Sequence, residues 1–282
     1  MSATIDDPVT LARDLEAELN YLALGIERPR TYTYKPPGDE PPSTVVSDPR
    51  RVTIRDARAW APTASLDREG FALIRHHSRV RDFWDEAEIR ARFYPEVNAA
   101  IIDATGADRV FIFDHTLRRR IEGAEDRGEE GPRQPVPRVH VDHTARSGPQ
   151  RVRDLLPDEA ENLLRGRVQI INFWRPIKGP LRDFPLAVAD ARSVAFSDLV
   201  PSDLVYRHRV GETYQVRHNP AHRWFYLPDM TTEEALLIKC FDSASDGRAR
   251  FAPHTAFRDP TAAADVPPRE SIELRTLVFH AS

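Results

Sequence analysis

The chain has 282 residues, enough for one large domain or two small ones with a substantial core. Its formal net charge of −4 gives no electrostatic footprint for nucleic acid or an anionic membrane, and no apolar run approaches the ~20 residues that span a bilayer. The N-terminus lacks an apolar signal segment, and a single cysteine, Cys240, excludes an intrachain disulfide. We therefore expect a cytoplasmic protein that binds neither nucleic acid nor membrane.

The first half of the chain mixes predicted helices with short strands. Apolar residues at helical spacing predict helices at 8–25, 82–92 and 93–105, with Gly106 at the position of a C-terminal helix glycine. Extended segments or short strands are predicted at 28–37, 52–54, 71–74 and 109–115. A charged, glycine-rich loop follows at 122–134, and its composition fits either a lid beside a cavity or a plain surface loop.

The second half is rich in predicted β-strands. After a helical stretch at 157–164, strands are predicted at 168–174, 186–190, 204–207, 213–217, 223–226, 234–241, 248–257 and 271–279. The turn signal Asp246-Gly247 predicts that 234–241 and 248–257 form a hairpin. The regular spacing predicts a mainly β protein of the jelly-roll class, a double-stranded β-helix. We expect one elaborated domain over 1–282, with a helical and extended region at about 1–105 packed on it.

A candidate metal site lies in the segment 138–143, Arg-Val-His-Val-Asp-His. On a strand, His140 and Asp142 point to the same face, while Val139 and Val141 pack on the other. A second histidine from elsewhere would complete a 2-His-1-carboxylate triad, which binds Fe(II) and leaves coordination positions open. The alternative is a half-buried strand whose polar face meets solvent.

Eight histidines compete for the third ligand position: His76, His77, His115, His208, His218, His222, His254 and His280. His254 follows the predicted hairpin turn, and the next predicted strand carries arginines that would face the same cavity. His222 is the rival, beside Trp224 and Tyr226, but no comparable arginine strand follows it. His254 is the preferred candidate.

The last predicted strand offers a carboxylate anchor. In an oxygenase that uses 2-oxoglutarate, a guanidinium can hold the distal carboxylate through paired hydrogen bonds. Arg269, Ser271, Glu273 and Arg275 share one face of this strand. Arg269 with Ser271 is the first candidate anchor. Arg275 is the second, although it could instead form an ion pair with Glu273.

The chain resembles the CmcJ/AsaB-like family of hydroxylases and desaturases over about 70–279. The motifs that carry the resemblance are Thr105-Gly106-Ala107, Phe113-Asp114-His115-Thr116 with Arg118, Val139-His140-Val141-Asp142, Asn172-Phe173-Trp174-Arg175-Pro176, His222-Arg223-Trp224-Phe225-Tyr226, Lys239 with Asp242-Ser243, Pro253-His254-Thr255-Ala256-Phe257 and Arg269-Glu270-Ser271-Ile272-Glu273. One residue departs from the pattern: His143 stands where we expect an aromatic or polar residue. If the strand continues, His143 points away from Asp142 and is not a ligand.

The resemblance implies a double-stranded β-helix oxygenase that needs Fe(II), 2-oxoglutarate and O2. With His140, Asp142 and His254 as the metal ligands, it would hydroxylate, desaturate or oxidatively cyclise a small molecule in secondary metabolism. Amino-acid or carboxylate-derived compounds are candidate substrates, and Arg118, Arg175 and Lys178 could hold a substrate carboxylate. The alternative is a non-catalytic, cupin-like accessory protein of a biosynthetic pathway.

Overall fold

A computed structural model describes residues 12–124 and 132–281, which form two β-sheets and four short α-helices. The strands are β1 (Leu15–Leu22), β2 (Arg30–Tyr32), β3 (Ser47–Asp56), β4 (Phe71–Arg75), β5 (Arg109–Arg119), β6 (His140–Val141), β7 (Val168–Pro176), β8 (Leu186–Ala189), β9 (Leu199–Val205), β10 (Val210–Val216), β11 (Trp224–Tyr226), β12 (Glu234–Asp242), β13 (His254–Ala256) and β14 (Glu270–Phe279). The α-helices are α1 (Glu86–Glu88), α2 (Tyr94–Thr105), α3 (Ser147–Leu155) and α4 (Ala160–Leu163), with a π-helical turn at Ile89–Phe93 and 3-10 turns at Ala61–Thr63, Ala191–Ser193 and Phe196–Asp198.

The strand order places the predicted metal ligands on adjacent strands. The larger sheet has nine strands in the order β1-β3-β11-β8-β13-β6-β10-β9-β2, and the smaller has five in the order β4-β12-β7-β14-β5. Because β6 and β13 are antiparallel neighbours, His254 lies directly opposite His140. This two-sheet arrangement is the jelly roll that the strand spacing predicts.

The smaller sheet is buried on both faces, and β7 shows how its sequence achieves this. Its side chains alternate in direction, so Val168 and Ile170 join one core cluster while Ile171 and Phe173 join another. Every residue of β7 is buried, which explains why this strand reads as a nearly continuous apolar run. Its polar residues, Gln169, Asn172 and Arg175, are buried as well, and Asn172 is fully enclosed in the protein interior.

The helical segment formed by α1, the π-helical turn and α2 covers the outer face of the smaller sheet. Ile89, Phe93, Val97 and Ile101 recur at helical spacing, are fully buried, and pack in the same cluster as Phe173 and Leu274. At the C-terminal end of this segment, Gly106 has a left-handed φ of 64°, and its backbone N–H donates to the carbonyl of Ile102. The prediction of a helix ending at this glycine is confirmed.

The helix predicted at 8–25 is wrong where the structure describes it. Residues 15–22 form β1, which pairs antiparallel with β3. Leu15, Ala17 and Leu19 are buried whereas Glu16 and Glu18 are exposed, which is the period of a strand. The leucines also fit a helical spacing, and the sheet pairing with β3 decides between the two patterns. Residues 8–11 of the prediction lie outside the described residues.

The predicted hairpin across Asp246-Gly247 is also wrong. No strand forms at 248–253, and β13 is only three residues long. It pairs with β6 and β8 in the larger sheet, whereas β12 belongs to the smaller one. The turn residues reverse the chain locally, but the segment after them crosses to the other sheet. The strand nevertheless carries His254, as predicted.

Other predictions fall partly or wholly outside what the structure tests. Residues 125–131 of the loop predicted at 122–134 are not among those described. The single domain over 1–282, with region 1–105 packed on it, stays a prediction. Within the described ranges, no helix is long and apolar enough to cross a membrane.

Candidate metal centre

The short strand β6 presents two polar side chains to the interior. Val139 and Val141 are buried in a core cluster, as their position on the strand predicts. His140 and Asp142 lie on the other side of the backbone and line a cavity. The alternation that sequence reasoning assigned to this segment therefore holds up to Asp142.

His140, Asp142 and His254 converge on one point. Their potential ligand atoms all lie within 4.8 Å of one another. The rings of His140 and His254 have centroids 4.5 Å apart, and Nε2 of His140 lies 3.4 Å from Oδ1 of Asp142. In the part of the chain that the structure describes, this is the one group of three or more histidine, cysteine or acidic side chains close enough to hold a metal ion.

Both histidines are held so that the same ring nitrogen faces this point. Nδ1 of His140 lies 2.7 Å from the carbonyl oxygen of Arg138, and Nδ1 of His254 lies 3.1 Å from that of Ala252. A carbonyl oxygen only accepts hydrogen bonds, so each Nδ1 carries a proton and Nε2 is the ring nitrogen left to bind a metal. Burial, together with the neighbouring His140, lowers the pKa of His254, which favours the neutral imidazole that a metal requires.

Asp142 is fixed through one of its two carboxylate oxygens. Its Oδ2 accepts hydrogen bonds from Nδ2 of Asn172 at 2.7 Å and from Nε of Arg275 at 3.0 Å. Burial alone would raise the pKa of Asp142, but Arg275, His140 and His254 together outweigh it, and the pKa lies well below its ordinary value. The carboxylate is therefore ionised, and its Oδ1 is directed toward the histidines. Two neutral imidazoles and one carboxylate are a donor set that fits Fe(II).

Arg275 is surrounded by acidic groups. Besides Asp142, its guanidinium forms ion pairs with Asp114 at 3.1 Å and with Glu273 at 2.5 Å. The ion pair with Glu273 was one of the two alternatives that the sequence left open. Arg275 thus holds the carboxylate of the candidate metal centre in place.

Arg269 is also buried, but no carboxylate of the described residues forms an ion pair with it. Only 3% of the residue is exposed. Its Nε donates to Oγ of Ser271 at 3.1 Å and its Nη1 to the carbonyl of Phe184 at 2.9 Å, while its guanidinium carbon lies 4.9 Å from the Trp174 ring centroid. Burial, helped by the nearby charge of Arg118, lowers the pKa of Arg269 to about 9. A buried cation without a counter-ion is costly, which suits a site that receives an anion.

Two cavities meet the three converging residues. A small one of about 20 Å³ lies among His140, His254, Arg269 and Arg275. A larger one of about 700 Å³ includes His140 and Asp142 in its wall. The structure therefore brings together all six residues that the sequence singled out as metal ligands or carboxylate anchors. They are His140, Asp142, His254, Arg269, Arg275 and Ser271, the last in contact with Arg269.

The competing histidines lie elsewhere or have other partners. His222 stacks on Tyr21 and its Nε2 lies 3.1 Å from Oδ2 of Asp198, in a cluster apart from both cavities. His143 lines the larger cavity, with Nδ1 3.3 Å from Oγ of Ser147, and burial lowers its pKa to about 3. We expected it to point away from the cavity. Because β6 ends at Val141, the strand alternation does not extend to His143.

Two of the three basic residues that the sequence suggested as binding a substrate carboxylate do not line either cavity. Arg175 is hydrogen-bonded to Nδ1 of His76 and to the carbonyl of Thr232, and Lys178 forms an ion pair with Glu270. Neither lines the two cavities, whereas Arg118 lines both. Sequence reasoning missed Asn172 as a site residue. The apolar stretch 168–174 contains two amides, Gln169 and Asn172, so the sequence signals buried polar groups there without singling out Asn172.

Known proteins similar to this chain in sequence and fold include iron oxygenases. A family model described as an oxidoreductase/YMDC permease-like domain matches residues 19–279. A hydroxylase/desaturase (efuI) of Hormonema carpetanum is 36% identical over 248 residues, 81% of this chain and 83% of that protein. An Fe(II)/2-oxoglutarate-dependent dioxygenase (nvfI) of Aspergillus novofumigatus is 34% identical over 239 residues, covering 82% and 84% of the two proteins.

The structural comparison agrees with the sequence comparison. A solved structure of the iron and alpha-ketoglutarate-dependent endoperoxidase NvfI superimposes with a TM-score of 0.85 at 28% identity, covering 95% of this chain and 99% of that one. The similarity therefore extends over nearly the whole chain. The chain therefore belongs to the hydroxylase/desaturase family of Fe(II)- and 2-oxoglutarate-dependent oxygenases.

Proposed function

We propose that His140, Asp142 and His254 hold Fe(II), and that Arg269 with Ser271 holds the distal carboxylate of 2-oxoglutarate. The observation that carries the proposal is the pairing of a complete donor set with a buried cation that lacks a counter-ion, both lining one small cavity. The three donors would bind the metal, and Arg269 would bind the far end of the cosubstrate.

The bound iron and 2-oxoglutarate would supply the oxidising chemistry: with O2, 2-oxoglutarate is converted to succinate and CO2, and the substrate loses hydrogen from a C–H bond. The residues of this chain do the positioning. Asp142 contributes one negative charge at a fixed oxygen, because Asn172 and Arg275 hold the other. The imidazoles of His140 and His254 contribute neutral donors.

The enzyme acts on a small molecule, and hydroxylation, desaturation and oxidative cyclisation all remain within its chemistry. Relatives of this chain include proteins named for hydroxylation or desaturation and one named for endoperoxide formation. Which outcome follows depends on where the reacting carbon lies relative to the metal. We propose a secondary metabolite as the substrate, on the strength of these relatives. A cytoplasmic location and the lack of nucleic-acid or membrane partners stay predictions.

The accessory-protein alternative is disfavoured by the site itself. A non-catalytic accessory protein would not need three converging metal donors. Nor would it need backbone carbonyls that orient the two imidazoles, or a buried arginine that can bind an anion. Every one of these features is present.

Two histidine variants test the proposal. His254→Ala should lose Fe(II) binding and 2-oxoglutarate-dependent succinate formation, because it removes one of three donors. His222→Ala is the matched control, since it removes a buried imidazole that belongs to the Tyr21 and Asp198 cluster. Bound iron and succinate would be measured in both variants. Iron loss in His222→Ala with normal iron in His254→Ala would place the metal elsewhere and refute the assignment.

A further inference from the structure

The larger cavity carries more positive than negative charge. Seven arginines and five acidic residues line it, counting the described residues, whereas the chain as a whole has a net charge of −4. A concave, partly desolvated wall strengthens such a field. Among the described residues, the charge balance of this wall is therefore opposite to that of the chain as a whole.

The acidic residues of the wall are already engaged. Each accepts a hydrogen bond or an ion pair from a neighbour: Asp114 from Arg275, Asp142 from Arg275 and Asn172, Asp154 from Gln150, Asp203 from Arg28, and Glu212 from Arg28, Arg146 and Thr144. These acids balance the charges of Arg146 and Arg275. Two further arginines of the wall form no ion pair with a described carboxylate.

Those two arginines are Arg151, on α3, and Arg209, in the turn between β9 and β10. Each guanidinium lies on an aromatic ring rather than against a carboxylate: Arg151 is 5.0 Å from the centroid of Phe113, and Arg209 is 4.0 Å from that of Tyr206. A stacked guanidinium keeps the hydrogen-bond donors at its edge available.

The two charges are close enough to affect each other. Burial and the charge of Arg209 both lower the pKa of Arg151, while Asp154 and Asp114 act in the opposite direction without forming an ion pair with it. Placing two like charges side by side is unfavourable unless an anion lies between them. Arg209 is exposed, so this end of the cavity reaches the surface, whereas His140 and Asp142 line the same cavity from within.

We propose that Arg151 and Arg209 bind a carboxylate of the substrate, so that the enzyme selects anionic small molecules. The inference rests on the proposed function of the same site. Held at this end by two guanidiniums, such a substrate would extend toward His140 and Asp142 with its uncharged part. Arg269 lies in the smaller cavity, so the cosubstrate and substrate carboxylates would occupy different sites.

Matched acid and amide probes test the proposal. The full-length protein is loaded with Mn(II), a redox-inactive substitute for Fe(II), and with saturating 2-oxoglutarate, so that the cosubstrate site is filled first. Benzoate, phenylacetate, 3-phenylpropanoate and 4-phenylbutanoate are then titrated calorimetrically beside their primary amides, which have the same shape and no charge. We expect at least one acid to bind roughly tenfold more tightly than its amide, as a charge-assisted hydrogen-bond pair implies.

The variants locate the preference. Arg151→Gln combined with Arg209→Gln should abolish the difference between acid and amide. Arg146→Gln is the matched control, because Arg146 lines the same cavity but is neutralised by Glu212 at 2.9 Å. The proposal is overturned if the wild type shows no preference for any acid, if the preference survives the double substitution, or if Arg146→Gln removes it equally.

The loading step separates this inference from the proposed function. Binding of 2-oxoglutarate to the Mn(II) protein is titrated first in every variant, and unchanged binding shows that the fold and the metal site are intact. If the wild type fails to bind 2-oxoglutarate, the proposed function fails. If it binds 2-oxoglutarate but does not discriminate acids from amides, only the substrate inference fails.

Discussion

Arg269, immediately before β14, and Arg275, on β14, line the same small cavity, yet their surroundings are opposite. Arg275 contacts the carboxylates of Asp142, Asp114 and Glu273. Arg269 contacts a hydroxyl, a backbone carbonyl and an aromatic ring. A guanidinium already neutralised by three acids has little to gain from a further carboxylate, whereas one without an acid does. We therefore assign cosubstrate binding to Arg269 and positioning of Asp142 to Arg275.

Lysine substitutions separate these two roles. Arg269→Lys keeps the charge but loses the paired donors, so the apparent KM for 2-oxoglutarate should rise roughly ten- to a hundredfold with Fe(II) binding preserved. Arg275→Lys should change this KM less, because its partners belong to the metal centre. Steady-state succinate formation at varied 2-oxoglutarate concentration measures both. A large KM change in Arg275→Lys and none in Arg269→Lys would mean that the assignments are exchanged.

At the scale of elements, the docking of α3 shapes the larger cavity, since this helix carries Arg151. Gly148 lies where α3 passes over the side chain of Phe241 on β12. A Cβ at this position would be 2.5 Å from Cγ of that ring, which is fully buried and has no room to move freely. Only glycine allows the helix to approach the sheet so closely.

Gly148→Ala should therefore destabilise the protein by about 1–3 kcal/mol, the usual cost of overpacking a core. Gly106→Ala provides a contrast, because a Cβ added there would meet no atom within 4 Å, although the φ of this residue is 64°. Its cost should be nearer ~1 kcal/mol and should not alter the cavity. Urea denaturation of both variants gives the two values. Unchanged stability in Gly148→Ala would show that α3 does not pack as described.

Sequence reasoning succeeded where a pattern was local and failed where pairing decided. The two-residue spacing of His140 and Asp142, the shared face of Arg269 and Arg275, and the glycine after α2 all depend on the period of a single element. The leucines of β1 fit two periods, and only the partner strand β3 selects one. The chain passes from the smaller sheet, which contains β12, to the larger sheet, where β13 pairs with β8. The turn motif between them does not predict this change of sheet. Arg151 and Arg209 come from separate elements, so their proximity had no signal in the sequence.

At the scale of the whole molecule, a buried charge cluster joins the smaller sheet to the loop before β4. Lys239 and Asp242, both fully buried, lie 2.7 Å apart, and Arg167 and Asp67 complete the cluster. Burial alone would raise the pKa of Asp242, but its ion pairs with Arg167 and Lys239 lower it below the ordinary value of 3.8. Such a carboxyl stabilises the fold above pH 3.8, and the contribution is lost as the pH falls through the lower, folded-state pKa.

Asp242→Asn should cost about 3–5 kcal/mol at pH 7, because it leaves buried cations without their partner. The difference in unfolding free energy between the wild type and this variant should shrink as the pH is lowered below about 4. The wild-type carboxyl is then protonated first in the unfolded state and, at still lower pH, in the folded state. Denaturation measured from pH 7 to pH 3 tests this. A difference that stays constant across that range would contradict the role given to Asp242.

The central claim is that one site holds both iron and 2-oxoglutarate, and a crystal structure of the anaerobic complex with Fe(II) and 2-oxoglutarate tests it most directly. We predict iron bound to Nε2 of His140, Oδ1 of Asp142 and Nε2 of His254, with the distal carboxylate of 2-oxoglutarate on the guanidinium of Arg269. Iron coordinated by other side chains, or a distal carboxylate held away from Arg269, would contradict the account.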